Sequence, residues 1–340
     1  MSACRRLLLT AITPLVTACV PSPRWIAVAG DTAVTVFDRD LRPVGRFPIP
    51  AGPRAMLFAP DGASLFVAVS PRPGSTLLIR VPRAGGVLEG RTLEGDARRL
   101  RLTPDGSVLL AALGGAAAGL AFTRAQTLSG ETLALPCDAR DVVLTASADR
   151  AYVVCGEGRV AEVDLVLRLV VKTVELPAAG APCTPVGSGL SANGTVLFVA
   201  CAGSGWLLYL DRVTLDALDS VAVPRGVTRF VIALGGRRAL LTLPDDGSVV
   251  VADLPGRRIR GRTQVAGASD IGVSADGRRA FVVTATALLE LDAAEGRVLR
   301  SIPLPQGASR VSVWPGPDEP RMRWDNGISA SASGAPGGKS

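Results

Sequence analysis

Short apolar runs of strand-like composition recur along the whole chain, each cut by a tight turn. Residues 55–62 (AMLFAPDG), 100–106 (LRLTPDG), 187–194 (GSGLSANG) and 271–277 (IGVSADG) all end in an Asx-Gly pair. Each is followed by a second apolar run: 65–69 (LFVAV), 108–112 (VLLAA), 196–200 (VLFVA) and 280–283 (AFVV). Asx-Gly between two such runs is a hairpin signal. Weaker copies span 142–154, turning at Asp149, and 230–241, turning at Gly235 and Gly236. The turn markers Asp61, Asp105, Asp149, Asn193, Gly235, Asp276 and Asp318 are 44, 44, 44, 42, 41 and 42 residues apart. A fixed period of that size marks a repeat architecture.

Each unit holds two further strands. The third ends in aspartate, as in 33–38 (AVTVFD), 160–164 (VAEVD), 207–211 (LLYLD), 249–253 (VVVAD) and 288–292 (LLELD). That carboxylate is placed to bond the backbone of the following turn. The fourth precedes a Pro or Gly turn, as in 44–49, 170–176 and 298–304. Four short strands in about 43 residues make one propeller blade. The chain starts inside a unit, because 25–29 (WIAVA) is a second strand with no first strand before it. The missing strand is 310–314 (RVSVW), at the far end. The fold expected is therefore all-β, a seven-bladed β-propeller over residues 25–314. Pairing of the C-terminal innermost strand into the N-terminal blade would close it and remove its exposed edges.

The rhythm of strand, Ser/Thr-Pro/Ala-Asp-Gly, strand and Asp resembles the YVTN/YncE-like seven-bladed propeller repeats over 25–314. The tetrapeptide itself is replaced here by FVAV, FVAC and FVVT. WD40 repeats fit less well, since no Trp-Asp pair ends a third strand and the chain has no histidine. Related propellers include lactonases and quinoprotein subunits, so a propeller enzyme or redox-associated subunit is the alternative to a binding scaffold.

Composition narrows the chemistry. With 48% hydrophobic and 20% charged residues, the chain has the means to build a core. The absence of histidine excludes Ser-His-Asp and Cys-His nucleophiles, His-ligated zinc and the commonest base near neutrality. No apolar run reaches the 18 residues of a spanning helix.

Residues 1–18 read as a secretory signal: Arg5 and Arg6, an apolar stretch from Leu7, and small residues before Cys19. Val16-Thr17-Ala18-Cys19 resembles the bacterial lipobox. That resemblance implies lipidation of Cys19, a linker over 19–24 and an anchor in the cell envelope, on the periplasmic face of the outer membrane since Val20 is not Asp. Removing 1–18 lowers the net charge from +7 to +5, no footprint for a nucleic acid. Residues 315–340 lose the period and are Gly/Ser/Ala-rich at their end, composition expected of an extension without a core of its own.

Export permits disulfides. Cys137 and Cys155 are 18 residues apart, as are Cys183 and Cys201. In both pairs the first cysteine precedes an innermost strand and the second ends the next, so the hairpin predicts Cys137–Cys155 and Cys183–Cys201. The cross-blade pair Cys155–Cys183 and free thiols are the alternatives. A metal site is not expected, because CxxC pairs are missing.

Propeller ligands sit where the innermost strands begin. Aligning the units, with one short insertion in the fourth, puts Arg54, Arg98, Arg140, Arg229 and Arg310 at or near one position. Converging guanidinium groups invite an anion unless acids neutralise them. Asp96, Asp138, Asp141 and Asp270 lie close enough in sequence to do so; the competing reading is that these arginines bond neighbouring-blade carbonyls or acids. No catalytic residue and no cofactor is implied. The expected partner is an envelope protein or an anionic ligand, bound without catalysis.

Overall fold

The run Leu65 to Val69 is buried at every position, which a strand achieves only when other sheets cover both its faces. Leu109 to Leu113 and Leu197 to Cys201 are buried in the same way. In contrast, Leu169 to Glu175 alternates between exposed and half-buried positions, as an outermost strand does. The computed structural model describes residues 25–83, 88–177 and 181–314. Expectations for 1–24 and 315–340, including Cys19 and the marker Asp318, lie outside the described residues.

The described residues form 28 strands in seven four-stranded sheets, with no helix among them. Blade 1 contains Ile26–Ala29, Ala33–Phe37 and Pro43–Pro48 (β1–β3). Blade 2 is Pro53–Phe58, Ser64–Arg72, Ser75–Pro82 and Glu89–Glu94 (β4–β7). Blade 3 is Asp96–Leu102, Val108–Gly114, Gly119–Arg124 and Gly130–Ala134 (β8–β11). Ala139–Leu144, Arg150–Cys155, Arg159–Asp164 and Leu169–Glu175 (β12–β15) make blade 4. Blade 5 runs through Pro185–Leu190, Val196–Cys201, Trp206–Asp211 and Ala217–Ala222 (β16–β19). Arg229–Ala233, Arg238–Leu243, Ser248–Asp253 and Arg258–Gln264 (β20–β23) form blade 6. Asp270–Val273, Arg279–Val283, Ala287–Asp292 and Val298–Pro303 (β24–β27) form blade 7. Arg310–Val313 (β28) pairs antiparallel with β1, Ile26 opposite Val313 and Ala29 opposite Arg310. The propeller is closed by its C-terminal strand.

Seven apolar clusters fill the seams between adjacent blades. The seam of blades 1 and 2 includes Trp25, Phe47, Phe58 and Trp314. There the two indoles stack with centroids 4.8 Å apart, and Trp314 Nε1 donates to the Pro60 carbonyl at 3.1 Å. Tyr209 packs edge-on against Phe198 and donates to the Leu254 carbonyl of blade 6 at 3.0 Å.

Turn chemistry explains the period. In the hairpins joining first and second strands, the amides of Gly62, Gly106, Gly194 and Gly277 donate to the carbonyl three residues back, at 2.8–2.9 Å. All four glycines have φ between 65° and 71°, a region L-residues avoid. The turn after the third strand uses its aspartate as expected. Asp164 Oδ1 accepts from Val166 and Leu167, Asp211 Oδ1 from Val213 and Thr214, and Asp292 Oδ1 from Ala294 and Glu295, at 2.8–3.1 Å.

Both within-blade disulfides are present, Cys137–Cys155 with Cα atoms 5.6 Å apart and Cys183–Cys201 at 4.9 Å. Each joins the segment entering an innermost strand to the end of the second. In the chain-entropy model a loop of this size contributes about 3 kcal/mol.

Candidate functional site

The innermost strands start together at one end of the channel. In blades 2 to 5 each start is bulged: Arg54, Arg98, Arg140 and Val186 are the extra residues between paired neighbours. A bulge re-aims the unpaired side chain, and here three of the four are arginines. Arg229 and Arg310 reach the same opening from unbulged strands. All five predicted arginines line one cavity of about 250 Å3, with Thr184 and Thr228 beside them. The disulfides brace this rim, since Cys137 precedes Asp138 and Arg140, and Cys183 precedes Thr184.

The five arginines are not equivalent in charge. Arg140 pairs with Asp138 at 2.8 Å, and Arg98 approaches Asp96 at 4.0 Å. Arg229 Nε donates to Asp270 Oδ1 at 3.0 Å, across the seam to blade 7. Arg310 meets carbonyls instead: Nε donates to Arg54 O of blade 2 at 2.8 Å and Nη1 to Ser309 O at 2.7 Å. Among the described residues, neither Arg54 nor Arg310 has a carboxylate partner. Burial, then the neighbouring Arg229, pulls the Arg310 pKa down to about 10; Asp270 opposes this, and Arg99 and Arg54 add to it. The Nε atoms of Arg98 and Arg140 are buried without an acceptor. The opening thus holds two cations beyond its ion pairs.

Asp141 does not neutralise the rim. Fully buried, it accepts from Arg99 Nε at 3.1 Å and Arg101 Nη2 at 3.4 Å in blade 3, and from the Ser188 amide of blade 5 at 2.9 Å. Asp270 likewise spans three blades, taking Arg229 of blade 6 and the Val311 amide of blade 1 at 3.0 Å. Sequence reasoning missed Arg99 and Arg101. Their signal was three arginines in one innermost strand, β8, where a channel-and-core alternation leaves room for fewer.

Elsewhere, polar clusters are held by their own neighbours. A larger cavity of about 360 Å3 lies at the far end of blades 3 and 4. Its Asp105 is held by Thr103 and Ser107, and its Arg168 by Glu131. The Asp245-Asp246-Gly247 segment is a turn in which Asp246 accepts from Ser248 and Arg262. No group of three or more potential metal ligands exists among the described residues.

No family model matches the chain, and no curated protein does. Many solved structures do. A functionally unknown protein from Desulfotomaculum acetoxidans superposes with a TM-score of 0.70 at 12% identity, covering 85% of this chain and 98% of that one. The periplasmic gluconolactonase of Pseudomonas aeruginosa gives 0.68 at 17% identity, covering 86% and 99%. A 6-phosphogluconolactonase assigned as putative in Bacteroides uniformis gives 0.68 at 12%, covering 85% and 99%. The likeness is one of fold.

Proposed function

We propose that this protein is a non-catalytic binding propeller of the cell envelope that takes an anionic ligand, or an acidic patch of a protein partner, at its arginine-lined mouth. The observation that carries this reading is the pair Arg54 and Arg310, which line one concave opening and, among the described residues, have no carboxylate partner of their own. Their mutual repulsion is relieved by a guest of opposite charge. The repeat rhythm supports a place among the YVTN/YncE-like propellers. The two disulfides support an oxidising compartment, and the anchor we propose is lipid on Cys19; fatty-acid labelling should mark wild type and spare Cys19→Ser.

Calorimetric titration with citrate tests the site. Losing a hydrogen bond to a charged group costs about 1.5–3 kcal/mol, so Arg54→Ala or Arg310→Met should weaken binding by about tenfold or more. Added salt should weaken it further. Unchanged affinity in both variants would sink the proposal.

A second reading is a lactone hydrolase, favoured by the gluconolactonase structures of the same fold and by Asp96 and Asp138 at the opening. It requires gluconolactone hydrolysis above the spontaneous rate that disappears in Asp138→Asn. A redox-associated subunit would instead carry a cofactor absorbance when purified.

A further inference from the structure

Inward of the rim the channel opens into a second cavity of about 200 Å3, which shares Arg54, Arg229 and Arg310 with the mouth. Its other walls come from further along the innermost strands: Met56 and Leu57 of β4, Val231 of β20, Val273 of β24 and Val313 of β28. These lie two or three residues beyond the first mouth residue of their own strands, about 7–10 Å deeper at the rise of a strand. Met56, Leu57, Val231 and Val273 are only half-buried, and the surface they retain lines this chamber.

The polar groups in the same wall are already engaged. Arg99 and Arg101 turn onto Asp141, and Asp270 holds Arg229 and the Val311 amide. The chamber therefore offers a guest apolar contact at Met56, Leu57, Val231 and Val273, in a wall shared with the guanidinium groups of Arg99 and Arg101, while Arg54 and Arg310, which have no carboxylate partner, line its end nearest the mouth. Covering apolar surface that otherwise faces water is favourable. A cavity of about 150 Å3 accepts a six-carbon ring, so this chamber accommodates a chain of about that carbon count.

We propose that the ligand class of this channel is an amphipathic anion: a carboxylate held by Arg54 and Arg310, with an unbranched hydrocarbon tail running down between Met56, Leu57, Val231 and Val273. The inference rests on the anion reading above and adds to it the chemistry of the rest of the molecule bound.

Titration of the full-length protein with acetate, butanoate, hexanoate and octanoate tests it. Affinity should climb about three- to fourfold per methylene, the increment for burying one CH2, and level off once the tail has about six carbons. Val231→Thr and Met56→Thr, which keep side chains of moderate size, should each flatten the climb. Equal affinity for acetate and octanoate, with citrate still dependent on Arg54 and Arg310, overturns the tail proposal alone. Loss of that citrate dependence overturns the anion reading beneath it.

Discussion

Asp141 and Asp270 each tie three consecutive blades together through the innermost strands, and they do it from buried positions. A buried carboxylate is tolerable only when its oxygens are fully occupied. Asp141 meets that condition with two arginines, the Val142 amide and Ser188. Removing it leaves Arg99 and Arg101 facing each other without the acid between them. We expect Asp141→Ala to lower unfolding stability by about 3 kcal/mol, read as a shift in the urea midpoint. The same surroundings leave Arg101 with a lowered pKa, through burial and then the proximity of Arg99, with Asp141 opposing. A variant that keeps Asp141 but replaces Arg101 by Met should thus cost less than losing the acid, by the same measurement.

Individual elements carry their own strain and charge. Blade 4 departs from the glycine rule of this hairpin: Ala148 stands where blades 2, 3, 5 and 7 have glycine, with φ at 54° and its amide donating to Thr145 O. An L-residue in that region costs about 1–2 kcal/mol. Ala148→Gly should accordingly raise stability by roughly 0.5–1 kcal/mol after the added flexibility of glycine is counted, measured by thermal unfolding. In the same family of turns, hydrogen bonds from Thr103 and Ser107 hold the Asp105 carboxyl at about 2, and those from Ser147 and Thr145 hold Asp149 at about 2. A depressed carboxylate pKa stabilises above its unfolded value and loses that contribution on acidification. Stability should fall as pH drops from about 4 to about 2, and Asp105→Asn should blunt the fall.

The hairpins were legible in the sequence because Asx-Gly chemistry is local and its period needs no knowledge of neighbours. The cysteine pairing was legible for the same reason, since two strands of one hairpin set both ends. The bulges that aim Arg54, Arg98 and Arg140 were not, because one inserted residue leaves no mark on a short apolar run. Nor was the division of the five arginines into paired and unpaired groups. Asp270 reaches Arg229 of the preceding blade, and Asp141 leaves the rim altogether; both depend on how blades meet rather than on spacing along the chain.

At the scale of the whole molecule, stability depends on β28, a four-residue strand that belongs by sequence to the end and by pairing to the beginning. It also bonds both flanking blades, through Val311 N to Asp270 and Ser312 Oγ from Phe58 N. Trp314 extends this closure by stacking on Trp25 and reaching Pro60. Truncating a buried aromatic costs about 3–5 kcal/mol. Trp314→Ala should cost about 3 kcal/mol, and hydrogen exchange should show the amides of β28 and β1 losing protection before those of blades 3 to 5.

The antiparallel register of β28 and β1 has a geometric corollary. Because Arg310 opens its strand at the rim, Trp314 and Trp25 meet at the opposite end, where the Trp314 amide donates to the Trp25 carbonyl at 2.9 Å. The polypeptide enters and leaves the toroid through its floor. A leash fastened ahead of Trp25, or a fusion appended after Trp314, would therefore join the toroid at the end opposite its charged opening.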